Sequence, residues 1–359
     1  MIKAFRHGAS LALALILAVF PATCTGRSAA AENTLAPRGH GGESGVCAHE
    51  RHDTDTRRCS ACGEIVPHHY VDGRCTLCGE KPAFVTGTLD ARFYEPVSEN
   101  AGRLETIRYK ALQCDSKRIL HRAMTVYVPY NYDPAQKYDV FLLLHGQNGR
   151  RGAWFEELHE EKDRVTGGKN LCDHLFAEGY LRPMLLVAID TCTGNTINRS
   201  ELGEAQIRYE LRHAILPTII ENYSTYAESG SYEDIVAARD HFGIGGVSNG
   251  SLYTQYAGLI PNLEFFSNYL CLSGCNNAPA LRERLDADAK DRYPVHMYFT
   301  GAGDEDYSLE KINVGYEILI ESDSPLKDGQ NAFRVIVEGE HEWCTWFTEL
   351  YNALPLMFP

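Results

Sequence analysis

The amino-acid sequence predicts an α/β fold, with a mostly parallel sheet covered by helices on both faces and a small Cys/His-rich module before it. From about Phe84 onward, short apolar runs alternate with stretches suited to helices, which is the pattern of parallel sheets. One of these runs ends in a glycine-rich turn that leads directly into a breaker-free helical stretch. Residues 47–78 are dense in Cys and His and hold few large apolar side chains, so they need a metal or disulfides to fold.

The N-terminus predicts export. Lys3 and Arg6 precede an apolar stretch over 11–20, and small residues follow at 29–31, so residues 1–31 are expected to be a signal peptide. The apolar stretch is short for a membrane span, and no later stretch is long and apolar enough for one. A lipoprotein signal is the alternative, in which Cys24 would carry a lipid anchor. The mature protein is therefore expected to be secreted or held at the cell surface.

The bulk composition fits a globular protein with a sizeable core. The chain has 359 residues, 44% of them hydrophobic and 23% charged, which are ordinary values. Its formal net charge of -14 argues against nucleic acid as a partner, because phosphate neutralisation needs a basic surface. The expected division is a linker over 32–46, a zinc-ribbon-like module over 47–82 and a larger α/β domain over 83–359.

The Cys/His-rich module predicts a structural zinc site. Cys59 and Cys62 form one C-x-x-C turn, and Cys75 and Cys78 form another; paired turns of this kind suit tetrahedral ligation of zinc. Further candidate ligands are Cys47, His49, His68 and His69, so two sites remain open, one of them with Cys47, His49, Cys59 and Cys62. Disulfides are the alternative in an exported chain. The scattered cysteines after residue 100 predict buried thiols or a single disulfide.

The elements of the larger domain follow in chain order. Strands are expected at 107–110, 124–130, 140–144, 184–189, 265–272, 293–299 and 333–337. Helices are expected at 170–178, at 204–223 as one long amphipathic helix, and at 346–353.

The glycine-rich turn reads Gly246-Val247-Ser248-Asn249-Gly250, the G-x-S-x-G nucleophile elbow. The run before it suits a buried strand, and the residues after it suit a helix. Such a turn holds the serine in a strained conformation, and the helix start favours developing negative charge. This context predicts that Ser248 is the nucleophile of an α/β-hydrolase fold.

A serine nucleophile needs a base and an orienting acid, which in this fold follow it in the order Asp or Glu, then His. Downstream of Ser248 the histidines are His296 and His341. His296 falls inside a predicted strand, whereas His341 lies in a loop directly after one, so His341 is the expected base. The loop after the preceding strand offers Asp304, Glu305 and Asp306, and spacing alone does not choose among these three carboxylates.

The oxyanion hole is expected from two backbone N–H groups. The strand over 140–144 runs into His145-Gly146-Gln147, and a loop of this type commonly presents one N–H to the tetrahedral oxygen. We therefore expect Gln147 and Asn249 to be the donors, with His145 orienting the loop rather than titrating.

Several blocks of sequence go beyond these general features. They are 125–129 (Thr-Val-Tyr-Val-Pro), 143–146 (Leu-Leu-His-Gly), 223–227 (Tyr-Ser-Thr-Tyr-Ala), 237–243 (Ala-Ala-Arg-Asp-His-Phe-Gly), 272–274 (Leu-Ser-Gly) and 352–355 (Asn-Ala-Leu-Pro). In these blocks the sequence from Arg103 to Pro359 resembles the feruloyl esterases of carbohydrate esterase family one, especially the esterase domains attached to clostridial xylanases. The resemblance aligns Asp306 with the family's catalytic acid and His341 with its base.

The resemblance implies a serine esterase that needs no cofactor for catalysis and acts on feruloyl-type esters of plant cell-wall polysaccharide such as xylan. Trp343 and Trp346 follow the base and are candidates for stacking on the acyl group or a sugar; the alternative is that they are core aromatics. The family often has Met-Gly-Gly after the serine and further glycines at 147–148, so the acyl preference stays open. Alternatives are an acetyl esterase or small-molecule thioesterase of the same fold, and a non-catalytic binding module.

Overall fold

The computed structural model of the protein describes residues 59–60, 66–147, 149–155, 167–191 and 201–358. The predicted signal peptide and linker lie outside the described residues. So do four candidate positions, Cys24, Cys47, His49 and Cys62.

The centre of the protein is an eight-stranded sheet. Its strands are β3 (Arg103–Leu112), β4 (Ile119–Val128), β5 (Asp139–Leu144), β6 (Met184–Ile189), β7 (Phe242–Val247), β8 (Asn268–Leu272), β9 (Met297–Gly303) and β10 (Ala332–Val337). They lie in the order β10-β9-β8-β7-β5-β6-β4-β3. All pairs from β10 to β6 are parallel, and β4 and β3 extend the sheet antiparallel. The predicted mostly parallel sheet is confirmed.

Helices cover both faces of this sheet. They are α1 (Gly168–Ala177), α2 (Glu201–Glu210), α3 (Leu216–Asn222), α4 (Tyr232–Ala237), α5 (Asn249–Tyr253), α6 (Ile260–Asn262), α7 (Ala278–Asp288), α8 (Leu309–Ile320) and α9 (Trp343–Ala353). Helices α2, α3, α7 and α8 contribute to one core, and α1 and α9 to the other. Strand β5 is buried along its whole length and alternates Leu142 into the first core with Leu143 into the second, because successive strand side chains point to opposite faces.

The long helix expected over 204–223 is interrupted. A π-helical turn over Leu211–Ile215 joins α2 to α3, and a second one over Thr254–Leu259 joins α5 to α6. Each π turn is followed by a proline near the start of the next helix, Pro217 in α3 and Pro261 in α6. Proline has no N–H to donate in the i→i−4 hydrogen-bond pattern of an α-helix. A π-helical turn is one of the common irregularities found where this pattern is interrupted.

Several strand boundaries differ from the sequence prediction, and one of these differences changes the position of a candidate histidine. Strand β9 begins at Met297, so His296 lies just before it rather than inside it. The His296 N–H donates to the Ser267 carbonyl, and its ring lies 3.7 Å from Asp240. This places His296 at the edge of the sheet where the parallel strands begin, opposite to the edge where β7 delivers Ser248. The expectation that it has a structural role agrees with this position.

The described part of the Cys/His-rich segment packs on the larger domain. It forms a hairpin of β1 (Tyr70–Val71) and β2 (Arg74–Cys75). Tyr70 and Cys75 are buried in the same core as α1 and α9, and a side chain at Gly73 would collide with the Gly329 carbonyl. The hairpin therefore lies near the start of β10, away from the edge that carries Ser248.

The scattered cysteines have mixed states. Cys114, Cys172, Cys271 and Cys275 are free thiols, and Cys344 is disulfide-bonded. Across the described residues, no helix combines the length and apolar composition needed to cross a bilayer.

Candidate active site

Ser248 sits at the sharp turn between β7 and α5. Its backbone has φ 54° and ψ -116°, a left-handed region that a non-glycine residue occupies only under strain, and such strain concentrates at functional sites. Its N–H donates to the Leu272 carbonyl at 2.9 Å. A side chain at Gly246 or Gly250 would collide with the Leu144 carbonyl at the end of β5. Both glycines of the elbow are therefore required by close packing of the turn against the neighbouring strand.

Asp306 is set apart from the other two carboxylates by burial. Asp304 and Glu305 are exposed, whereas Asp306 is 5% exposed. The Asp304 carboxylate accepts the N–H of Gly339 at 3.0 Å, so it ties the loop after β9 to the loop after β10. Asp306 instead points inward, toward the imidazole of His341. The structure thus separates three carboxylates that spacing left equivalent.

The hydrogen bonds of Asp306 keep it ionised. Burial alone would raise its pKa, but bonds from His341, Ser273 and Ser308 outweigh burial and lower the pKa to about 2. The Ser273 hydroxyl donates at 2.6 Å, and the N–H and hydroxyl of Ser308 each donate at 2.7 Å. A fixed carboxylate of this kind can orient an imidazole and stabilise its protonated form.

His341 is held by this carboxylate through one ring nitrogen. Its Nδ1 lies 3.1 Å and 3.0 Å from the two oxygens of Asp306, a contact that assigns the proton to Nδ1 and leaves Nε2 as the basic nitrogen. Nε2 lies 3.0 Å from the hydroxyl of Tyr307. Among the described residues, His341 makes its side-chain hydrogen bonds with Asp306 and Tyr307, and a bond from Ser248 is not formed. Catalytic hydrogen bonds often tighten only when substrate binds.

Strand β8, between the strands of the elbow and the acid, connects the two. Its last residue, Leu272, accepts the Ser248 N–H, and the next residue, Ser273, donates to Asp306. Ser273 is buried and has φ 51°, so a second strained residue lies beside the elbow. The Leu-Ser-Gly block contains Ser273, but the sequence analysis assigns it no role at the site. Ser308 was also missed; an Asp side chain in a turn commonly accepts a hydrogen bond from the backbone N–H two residues later, and this is the signal that points to Ser308.

The loop after β5 runs beside the elbow. A side chain at Gly146 would touch the Ser248 side chain, and the Gly149 N–H closes a turn onto the Gly146 carbonyl at 3.2 Å. Gln147 is exposed in this turn, whereas Asn249 is buried as the first residue of α5. A first-turn N–H has no partner within its own helix. Both predicted donors thus lie in segments that adjoin Ser248.

His145 anchors the same loop. It is 1% exposed, and burial lowers its pKa, so it is neutral. Its Nδ1 lies 2.7 Å from the Gly146 carbonyl, and its Nε2 lies 3.2 Å from the N–H of Thr191. These partners require the proton on Nδ1, with Nε2 as the acceptor. The structure agrees with the expectation that His145 orients the loop.

The two tryptophans lie in different surroundings. Trp346 is buried, and its indole N–H donates to the Ser273 hydroxyl at 2.8 Å, so it extends the hydrogen-bond chain behind Asp306. For Trp346, this burial favours a core aromatic over a ring that stacks on substrate. Trp343 is half-buried and packs edge-on against Trp154 and Trp346, with ring centroids 5.3 and 5.1 Å away.

Glu349 is a buried carboxyl behind the acid. It lies on α9, one turn after Thr345, and neither its two carboxyl oxygens nor the Thr345 hydroxyl has a hydrogen-bond partner among the described residues. A side chain at Gly301 would collide with it. Burial, together with the nearby Asp306 carboxylate, raises the pKa of Glu349 well above its usual value. Burial and the nearby charge thus favour the protonated form of this carboxyl group.

Replacing Glu349 with Gln should remove a pH dependence of stability. The folded pKa lies above the unfolded one, so the wild-type free energy of unfolding is highest below about pH 4.5 and falls as the pH rises toward the folded pKa, by at most about 1.4 kcal/mol per pH unit. The Gln variant lacks this slope. Urea unfolding should show similar stabilities at pH 4 and a more stable variant at pH 8. Exposed Glu283 on α7 gives the control, since Glu283→Gln removes a solvated carboxylate and should shift stability equally at both pH values. A Glu349→Gln effect independent of pH would contradict the raised pKa of Glu349.

A His/Cys cluster lies in the hairpin segment. The ligand atoms of His68, Cys75 and Cys78 lie within 4.8 Å of one another, with Cys78 Sγ 3.6 Å from His68 Nδ1. Zn–S and Zn–N bonds of 2.3 and 2.0–2.1 Å in a tetrahedron place neighbouring ligand atoms about 3.5–3.8 Å apart. The Leu77 N–H donates to Cys75 Sγ at 3.4 Å. His68, one of the further candidates, joins this cluster. Cys59 is buried, and its Sγ does not lie within 4.8 Å of all three ligand atoms.

No protein-family model matches the chain. A curated relative is endo-1,4-beta-xylanase Y from Acetivibrio thermocellus, 28% identical over 249 residues that make up 66% of this chain and 22% of that protein. The chain thus spans about a fifth of the length of this relative.

Solved structures of feruloyl esterases are also similar to this chain. A feruloyl esterase module from Clostridium thermocellum, a serine-to-alanine mutant complexed with sinapinate, is 25% identical, with 77% of this chain and 95% of that module covered and a TM-score of 0.65. A ferulic acid esterase from Anaeromyces mucronatus, in complex with ferulic acid, shares the fold at 17% identity, with 77% and 98% covered and a TM-score of 0.58. The α/β-hydrolase fold and the resemblance to feruloyl esterases of carbohydrate esterase family one are confirmed.

Proposed function

We propose that this protein is a serine carboxylic-ester hydrolase that acts on feruloyl-type esters of plant cell-wall polysaccharide such as xylan. The observation that carries the proposal is the buried Asp306 carboxylate on Nδ1 of His341, at the same sheet edge as the strained Ser248 elbow. The similarity to feruloyl esterase modules supports the choice of substrate. The similarity to a xylanase supports the choice of polysaccharide and an extracellular site of action.

Acylation begins when Ser248 Oγ attacks the ester carbonyl carbon. Its proton passes to Nε2 of His341, and Asp306 stabilises the imidazolium through the proton on Nδ1. The backbone N–H groups of Gln147 and Asn249 donate hydrogen bonds to the oxyanion of the tetrahedral intermediate. Each such donor contributes about 2.7–4 kcal/mol to transition-state stabilisation. The C–O bond to the alcohol then breaks, the alcohol oxygen takes the proton from Nε2, and the acyl group stays on Ser248.

Deacylation repeats these steps with water. Nε2 removes a proton from the water as its oxygen attacks the acyl carbon, and it returns that proton to Ser248 Oγ as the acid leaves. No cofactor takes part. The half-buried Trp343 is the remaining aromatic candidate for contact with the acyl group or a sugar.

Release of ferulate tests the proposal. The full chain should release ferulate from feruloylated arabinoxylan and from methyl ferulate, measured by chromatography, and should act less efficiently on acetyl esters and small thioesters. Failure to hydrolyse feruloyl esters together with rapid acetyl or thioester hydrolysis would contradict the substrate class. Absence of hydrolysis of any of these esters would favour a binding module.

We propose further that the Cys/His cluster holds a structural zinc ion, with His68, Cys75 and Cys78 as ligands. The ligand spacing and the sulfur–imidazole donor set support zinc. A fourth ligand would come from the candidates Cys59 and Cys62, or Cys47 and His49. Because the hairpin packs on the core shared with α1 and α9, the ion would stabilise the fold and take no part in ester cleavage.

Removing this ion should lower thermal stability without slowing the chemistry. Metal analysis should find zinc in the purified protein. Cys78→Ser should lower both the zinc content and the Tm, the latter by about 3–5 °C if about 2–3 kcal/mol are lost. Cys114→Ser, at a half-buried free thiol far from the cluster in sequence, is the control. A Cys78→Ser protein with unchanged metal content and Tm would refute the zinc site.

A further inference from the structure

Tyr307 covers the catalytic nitrogen of His341. Its hydroxyl lies 3.0 Å from Nε2, and its ring lies over the imidazole with centroids 4.3 Å apart and planes tilted by 31°. Tyr307 is 76% exposed, the largest value among the exposed large apolar and aromatic side chains in the described part of the chain. The exposed Tyr307 hydroxyl is thus hydrogen-bonded to His341 Nε2, the nitrogen that accepts and donates the proton in each step of the proposed reaction.

The position of this hydroxyl indicates which part of a substrate belongs there. In the proposed reaction Nε2 donates its proton to the oxygen of the departing alcohol. A hydroxyl at hydrogen-bond distance from Nε2 therefore has the same chemistry and the same contact as that alcohol. The acyl group, in contrast, has to lie between Ser248 and the oxyanion donors.

We propose, on the basis of the proposed function, that Tyr307 borders the leaving-group subsite and determines specificity for the alcohol part of the ester. In the free enzyme its hydroxyl occupies the place of the leaving oxygen. When ester binds, the side chain swings aside and its ring contacts the sugar that carries the acyl group. Aromatic rings that pair an apolar face with a polar tip are common in binding sites of this kind.

The surroundings of Tyr307 permit this movement. Its backbone is fixed on both sides, because the Asp306 N–H donates to Gly303 and the Leu309 N–H donates to Asp306, at 3.2 and 3.0 Å. The side chain is exposed, and its hydrogen bond within the described residues is the one to His341. A rotation about the Cα–Cβ bond would break that bond and the ring contact and leave the Asp306–His341 pair in place.

Two esters that share the ferulate group test the inference. One is methyl ferulate, and the other is ferulate esterified to an arabino-oligosaccharide. Tyr307→Phe keeps the ring and frees Nε2, so kcat/KM should rise about 3- to 10-fold for both esters. Tyr307→Ala also frees Nε2 but removes the ring, so the ratio of kcat/KM for the sugar ester to that for the methyl ester should fall about 10-fold, mainly through KM.

The controls separate this inference from the proposed function. Tyr130→Ala changes another exposed tyrosine, 46% exposed and just beyond the end of β4 at the opposite edge of the sheet, and should leave both rates unchanged. In an enzyme that hydrolyses both esters, an unchanged ratio in Tyr307→Ala would overturn the sugar contact, and a fall in kcat/KM in Tyr307→Phe would overturn displacement of the hydroxyl. A wild-type protein inactive on both esters would instead remove the proposed function.

Discussion

Ser248→Ala should abolish ester hydrolysis, with a loss in kcat of about 10⁵- to 10⁶-fold. Alanine keeps the Cβ and therefore the packing of the elbow against Gly146, but it has no oxygen to form the acyl-enzyme. Any residual rate would come from the oxyanion donors acting on water. The measurement is ferulate release from methyl ferulate at high enzyme concentration, with the Tm recorded to show that the variant is folded.

The matched control is Ser322→Ala, which removes an exposed hydroxyl in the loop after α8 and should leave kcat unchanged. If Ser248→Ala kept more than about a hundredth of the wild-type kcat, a serine nucleophile at this position would be ruled out, because intact binding and oxyanion donors alone do not supply that much of the rate.

Asp306→Asn should lower kcat by about 10⁴-fold while the protein still binds substrate. The amide would present an N–H₂ group to His341 Nδ1 and favour the tautomer with its proton on Nε2. In that tautomer Nε2 could not accept the proton of Ser248. The amide also removes the negative charge that stabilises the imidazolium. Because Ser273 and Ser308 both donate to the carboxylate, the variant should lose stability as well, visible as a lower Tm.

Glu305→Gln makes the matching change at the exposed carboxylate next in sequence and should leave kcat within about twofold. Equal losses in the two variants would mean that the loop as a whole, rather than the buried carboxylate, affects the rate. A large loss confined to Glu305→Gln would mean that the resemblance and the burial of Asp306 had selected the wrong acid.

Local sequence is enough to single out Ser248. The two glycines of the turn and the change from a strand pattern to a helix pattern all lie within a few residues of it. It does not distinguish Asp304, Glu305 and Asp306, because their difference arises from burial and from hydrogen bonds with Ser273 and His341, which lie 33 and 35 residues away from Asp306 in the chain. The resemblance selected Asp306, and the structure supplies the physical reason, which is the set of hydrogen bonds from Ser273, Ser308 and His341.

Other features depend on contacts that no local pattern contains. The Ser273 hydroxyl accepts a hydrogen bond from the Trp346 indole and donates one to the Asp306 carboxylate. The Tyr307 hydroxyl contacts His341, and these two residues lie in different loops. His68 is seven residues from Cys75 in sequence, outside both C-x-x-C turns, and joins the cluster because the hairpin folds back. In each case the sequence shows several residues whose side chains suit a role, and tertiary packing determines which of them takes that role.

Labelling with a serine-directed fluorophosphonate tests the central claim most directly, because it reads the reactivity of one hydroxyl without assuming a substrate. One equivalent of probe should inactivate the full chain, peptide mass spectrometry should place the label on Ser248, and Asp306→Asn should label far more slowly. Label on a different residue, or full ferulate release after Ser248 has been labelled to completion, would contradict the account.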